Sequence, residues 1–334
     1  MGLKYAGFDT RVAVEIDQVK AETYSANHPD TVVLGAGGTC GDVRKVSGRE
    51  IANLAKLGDS KPDILVGCPP CQGYSLLGKR NPDDPRNFLY LEFVRLTKEM
   101  RPKSIVMENV PGLETLHGGT FLRAVRSRLR RLGYSTVVWH LQASDFGVPQ
   151  NRRRVFVVGI LGKKPGAPPL SRKGKQVRVW EAIADLPAGK PRRNASVLRY
   201  YRRQPRSKYA ARLRGTRSRV DACDTTVHAE SLVKRFSRIR WGKLDRPTHH
   251  RRLHPWRCAP TITAGSRTRT SCRPIHPFAD RVLTVREAAR LASFPDAYEF
   301  PSHIAESWSQ IGNAVPPLMA RAVFSRVRSF LSAD

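Results

Sequence analysis

Between about residue 60 and residue 162, short apolar runs alternate with stretches of helical periodicity. This alternation narrows the fold to an α/β domain with a mostly parallel sheet. Ile64-Leu65-Val66 reads as a buried strand running into a Gly-Cys-Pro-Pro loop. A helix is expected from Asn87, with Leu89, Phe93, Leu96 and Met100 on one face. Ile105-Val106-Met107 is the next strand, and a second helix carries Phe121, Val125, Leu129 and Leu132 before Gly133 stops it. Thr136–His140 and Val155–Ile160 read as two further strands.

Periodicity is lost between 163 and 258, where Pro, Gly and Arg dominate. The stretch holds 27 Lys and Arg against 6 Asp and Glu, most of the chain's net charge of +31. Such an excess points to a polyanionic partner; an arginine-rich composition giving solvated surface charge is the plainer account. Thr284 and Glu287 have the form of a helix capping box, in a helix carrying Ala288, Leu291 and Ala292. A last helix starts after Pro316-Pro317 and buries Met319, Val323, Val327 and Leu331. The organisation expected is therefore a domain over 1–162, an inserted basic region over 163–262 and a return to the first domain over 263–334. The chain shows no internal repeat, no apolar leader before its first charges and no run of about 18 apolar residues. A cytoplasmic protein without membrane attachment is expected. The six cysteines lack the paired spacing of a zinc site and read as reduced thiols, so no metal is expected.

Two groups suited to chemistry stand after successive strands: Cys71 in GCPPCQGYS and Glu108 in MENVPG. In an open parallel sheet, ligands bind at that edge, and a right-handed crossover sets the two strand ends side by side. A thiol attacks only as thiolate, which a helix N-terminus or a neighbouring guanidinium favours. Arg152 and Arg154, two apart where a strand begins, are expected to share a face. Each residue also has a plainer reading. Cys68 and Cys71 have the spacing of a redox pair, Glu108 suits a structural carboxylate and the arginines suit a charged surface. The case rests on their occurring together.

Together they resemble the C5-cytosine DNA methyltransferase family. PPCQG at Pro69–Gly73, ENV at Glu108–Val110, Gln-x-Arg-x-Arg at Gln150–Arg154, REAARLASFP at Arg286–Pro295 and QIGNAVPP at Gln310–Pro317 occur in the family's order. The basic insert lies where that family carries its target-recognition region, and ITAG at Ile262–Gly265 resembles the end of it. The resemblance implies a Rossmann-like, S-adenosylmethionine-dependent methyltransferase fold with an inserted recognition domain. It also implies methyl transfer to C5 of a flipped-out cytosine in double-stranded DNA. In it Cys71 is the nucleophile at C6, Glu108 acts at N3, and Arg152 and Arg154 orient base and thiolate. Glu15, Asp42, Pro70, Leu89, Asn313 and Val315 match positions that hold S-adenosylmethionine. A monomer in the bacterial cytoplasm or nucleoid is expected, solitary or alongside a cognate restriction endonuclease.

The sequence departs from the family at its start. Met1–Phe8 matches the end of the family's first helix, and the strand and Phe-x-Gly-x-Gly turn before it have no counterpart. LGAGGTCG at Leu34–Gly41 falls out of order for that turn and reads as a loop. Two sheet edges are therefore expected to lack a partner. A start assigned too far downstream, a truncated remnant and completion by another polypeptide each account for it. The competing functions are an inactive DNA-binding remnant and an RNA cytosine-5 methyltransferase.

Overall fold

The computed structural model describes residues 1–70, 88–115, 119–171, 174, 176–187, 197–200, 205, 207–264, 273–301 and 303–332. The chain divides into two compact units. One comprises 1–142, 153–170 and 321–334, and the other comprises 143–152 and 171–320.

In the first unit a short helix, α1 (Gly2–Tyr5), precedes β1 (Val12–Val14), α2 (Gln18–Asn27), β2 (Val32–Leu34) and α3 (Gly48–Leu54). Then come β3 (Ile64–Gly67), α4 (Tyr90–Met100), β4 (Ser104–Asn109), α5 (Gly112–Thr115), α6 (Thr120–Arg131) and β5 (Tyr134–Gln142). After β6 (Gln150–Asn151), which belongs to the second unit, the chain returns as β7 (Arg153–Leu161). α6 turns Leu122, Val125 and Leu129 inward. Of the expected face, Val125 and Leu129 are buried, whereas Phe121 and Leu132 are half-buried and Leu122 is buried beside Phe121. Tyr90 and Phe93 of α4 join them with Ile105 and Met107 of β4 in one apolar cluster. The helix expected from Asn87 begins at Tyr90, and Asn87 itself lies outside the described residues.

β3 and β4 pair in parallel, Gly67 opposite Met107, so their C-terminal ends are neighbours as the crossover requires. The remainder of this sheet corrects the mostly parallel expectation. Its order is β3-β4-β7-β5, and β7 runs antiparallel to both β4 and β5. Between β5 and β7 the chain reverses through residues 143–152 without a crossover helix, which fixes the antiparallel sense. β1 and β2 form a separate parallel pair. Among the described residues, β1 and β3 are thus each paired along one edge only. Both strands are half-buried throughout, whereas β4 is buried along its whole length.

The second unit holds α7 (Val179–Ile183), β8 (Leu198–Arg199), α8 (Lys208–Arg214), β9 (Arg219–Val220), α9 (Glu230–Ser237) and β10 (Ala259–Pro260). α10 (Val285–Leu291), α11 (Ile304–Asn313) and the start of α12 (Pro317–Leu331) complete it. β10 pairs in parallel with β6. The Thr284–Glu287 capping box is present. Yet α10 is no half-exposed helix: Arg286, Glu287 and Arg290 are as buried as its apolar residues. Arg290 is held by Asp296 at 2.5 Å and Asp185 at 3.2 Å, and Arg286 by Asp221. Among the described residues, no helix is long and apolar enough to cross a membrane.

Candidate active site

Glu108 is the fifth residue of the buried strand β4, and Phe156 of β7 lies opposite it. Two residues earlier in β7, the Arg154 Nε donates to Glu108 Oε1 at 2.7 Å, with both side chains close to nine-tenths buried. A pair so enclosed is screened far less than one at the surface. Its geometry holds a carboxylate and a guanidinium in fixed register at the C-terminal end of β4.

The loop leaving β3 is tied to the same place. Asn109 Nδ2 donates to the Pro69 carbonyl at 3.2 Å, and Asn109 Oδ1 accepts from the Val110 amide at 2.9 Å. The Asn109 side chain therefore fixes the start of the Pro69-Pro70 segment against β4. Cys68 retains accessible surface, yet its thiol lies in dense surroundings beside Glu108. Its pKa is raised, chiefly by burial and then by the charge of, and hydrogen bond to, the Glu108 carboxylate. Cys68 is accordingly a neutral thiol at neutral pH. Cys71 lies outside the described residues; the chain is described up to Pro70.

Arg152 behaves differently from Arg154. β6 ends at Asn151 and β7 begins at Arg153, so Arg152 sits in a break and the two-residue periodicity does not carry through it. Its guanidinium, 1 % exposed, donates to the carbonyls of Ile262 at 3.0 Å and Gly312 at 2.7 Å. Gln150 complements it: Oε1 accepts from the Ile262 amide at 3.2 Å, and Nε2 donates to the Leu291 carbonyl at 3.3 Å. The backbones so joined approach closely, because a Cβ placed on Gly312 would lie 2.1 Å from the Ala264 nitrogen. Thus Gln150, Arg152 and Gly312 brace Ile262–Ala264 against the C-terminal end of α11. The sequence motifs contain these residues but do not reveal this role.

At the C-terminal end of β1, the Glu15 amide donates to Leu34, and Glu15 Oε1 accepts from the Asp17 amide at 3.0 Å. The glycine-rich loop folds over this point. Gly35 has φ +109°, and a Cβ there would lie 1.9 Å from the Glu15 carbonyl oxygen. Glycine is required there on both counts. Asp42 is engaged by Arg44, Nη2 to Oδ2 at 2.7 Å, and the hydrogen bonds from Arg44 lower its pKa to about 2. Pro70 is exposed and Leu89 half-buried in the first unit; in the second, Asn313 ends α11 exposed and Val315 is half-buried. The described residues contain no group of three or more His, Cys, Asp or Glu arranged to hold a metal ion.

The α/β architecture is the Rossmann-like fold of S-adenosylmethionine-dependent methyltransferases. It is shared with the crystal structure of a putative DNA modification methyltransferase encoded within an E. coli prophage, at a TM-score of 0.83 and 29 % identity, covering 99 % of this chain and 95 % of that one. S. pombe Dnmt2 methyltransferase has a similar fold, with a TM-score of 0.63, 18 % identity and coverage of 99 % and 95 %. The family described as C-5 cytosine-specific DNA methylase matches residues 1–329, and the chain belongs to that family. It is 34 % identical over 354 residues to the type II methyltransferase M.XorII of Xanthomonas oryzae pv. oryzae, across 99 % of this chain and 82 % of the relative. It is 32 % identical over 366 residues to M.DdeI of Desulfomicrobium norvegicum, across 98 % and 85 %.

Proposed function

We propose that the chain is a site-specific DNA (cytosine-5)-methyltransferase acting on double-stranded DNA. The observation that carries the reading is the enclosed Glu108–Arg154 pair at the strand end to which Asn109 ties the loop leading to Cys71. In this reading the Cys71 thiolate adds to C6 of the target cytosine, forming an S–C6 bond as the ring electrons move toward N3. Glu108 holds or protonates N3, and Arg154 fixes the orientation of Glu108. The enamine so formed makes C5 nucleophilic. Loss of the C5 proton after methylation then expels Cys71, so the covalent step returns the enzyme unchanged. C5 and C6 are inaccessible in a stacked duplex, so the cytosine is extruded at a cost of a few kcal/mol. Basic residues of the second unit offset this cost through phosphate contacts.

S-adenosylmethionine, when bound, supplies the methyl group. Glu15 fits a ribose-binding role: it ends a strand, a glycine loop closes over its backbone and, among the described residues, it pairs with no cation. Asp42 fits once the exposed Arg44 moves aside to free an acceptor. Pro70, Leu89, Asn313 and Val315 would supply apolar and polar contacts to the rest of the molecule. The relatives are type II methyltransferases, which supports action in the bacterial cytoplasm with a cognate restriction endonuclease as partner. The protein acts as a monomer in this reading.

The test is expression in a host lacking cytosine-5 methylation, followed by bisulfite sequencing and trapping on a duplex containing 5-fluorocytosine. Methylation at one short sequence is expected, with covalent trapping retained by Cys68→Ser and lost in Cys71→Ser. Absence of methylation overturns the reading, and trapping by Cys71→Ser overturns the assignment of the nucleophile.

A further inference from the structure

The second unit carries an exposed aromatic ledge outside every motif discussed so far. Trp241 and Phe278 are 43 % and 48 % exposed and meet edge to face, with ring centroids 5.4 Å apart. Trp180 packs against Phe278 at 4.7 Å, and His254 lies 5.8 Å from Trp241. Large rings left in water are costly unless something covers them, and these are held rigidly. Trp241 Nε1 donates to the Pro277 carbonyl at 2.7 Å. Buried Arg252 bonds the carbonyls of Phe236 at 2.6 Å, His276 at 3.1 Å and Ala279 at 3.2 Å, joining the segments that carry Trp241 and Phe278. The Trp180 amide donates to the Pro255 carbonyl at 3.0 Å.

The surroundings of the ledge are cationic. Arg240 and Lys243 flank Trp241 and are exposed, as is Arg257 beyond His254. The carboxylates within these segments are already engaged, Asp245 by Arg235 and Asp280 by Arg252. Glu181, next to Trp180, caps its own helix. Apolar π-faces in a rim of exposed positive charge match a planar base on a phosphate backbone better than they match an apolar protein surface. Only an unstacked base offers a free face to such a ring.

We infer that the ledge formed by Trp241 and Phe278 stacks against an extrahelical nucleobase, while its basic rim holds the adjoining phosphates. The inference rests on the reading that the chain acts on DNA and adds to it a second place where an unpaired base is held. The test compares the affinity of the full chain, by fluorescence anisotropy, for a mixed-sequence duplex and for the same duplex with a single bulged thymine. Preference for the bulged duplex by about 10-fold is expected of the unaltered chain. Trp241→Ala should abolish that preference. Trp241→Phe, which keeps a ring but loses the bond to Pro277, should retain most of it and so separates stacking from misfolding. Equal affinity for the two duplexes, or a preference that survives Trp241→Ala, overturns the inference. So does self-association of the chain that Trp241→Ala abolishes, which would make the ledge an interface between copies. Failure to bind either duplex would instead defeat the reading that the chain acts on DNA.

Discussion

Arg152 and Arg154 carry identical groups two positions apart, and their partners give them different tasks. The Arg152 fork bridges two carbonyls in a buried setting, which one ammonium cannot reproduce. Arg152→Lys should therefore lower unfolding free energy by about 2–3 kcal/mol, measured by urea titration, since buried acceptors lose their donor. Arg154 instead meets a carboxylate, which a lysine still serves as a point charge. Arg154→Lys keeps the charge pair and should therefore cost less stability than Arg152→Lys, while lowering methyl transfer on the order of 10-fold through the orientation of Glu108. Equal losses of stability in the two variants would show that the pair at Glu108 is chiefly structural. The adjacent ends of β3 and β4 were legible in the sequence, because crossover handedness is a local rule; the shared face expected of Arg152 and Arg154 was not realised. The separate task of Arg152 was not legible: no glycine or proline marks the break before β7, and Ile262 and Gly312 lie 110 and 160 residues away.

At the scale of elements, α10 separates what local pattern fixes from what distant partners fix. Its start was legible from Thr284 and Glu287, which satisfy each other's backbone amides. Its complete burial was not, because the groups that neutralise Arg286 and Arg290 include Asp221 and Asp185, 65 and 105 residues away. Glu287 also faces Arg281 at 2.8 Å and His276 at 3.7 Å. Burial alone would raise the Glu287 pKa, but Arg281 outweighs it and holds the group at about 2, below its ordinary 4.5. A carboxylate so depressed contributes stability at neutral pH, and the contribution is lost as the pH falls from about 4.5 through 2. Glu287→Gln should lower stability at pH 7 and flatten the acid limb of the urea midpoint against pH across that window. An unchanged limb would show that other carboxylates govern it. The contact of α11 with Thr263 and Ala264 is equally specific. Gly312→Ala should cost about 1–3 kcal/mol or more in thermal or urea unfolding, because the added methyl meets backbone instead of a movable side chain.

For the whole molecule the governing quantity is the net charge of +31, which composition gives without any structure. Its placement is only partly legible: the excess lies in the basic insert, but which cations stay free depends on pairings such as Arg235–Asp245 and Arg252–Asp280 that sequence does not reveal. Folding brings like charges together within each compact unit, and their repulsion opposes folding. On the proposed reading that the chain acts on DNA, phosphates relieve it. Sodium chloride should consequently act on the protein in two opposite senses. In the free chain, screening shortens the reach of the repulsion from about 30 Å at 0.01 M to about 8 Å at 0.15 M, so the thermal midpoint should rise. In the complex, salt reduces the gain from counterion release. Affinity should fall by roughly 10³–10⁵ between 50 and 200 mM salt if about six to ten phosphates are neutralised. Thermal scans and anisotropy titrations over one salt series test both halves. An affinity that hardly changes would mean that the cations lie away from the DNA, and the excess charge would then need a different partner.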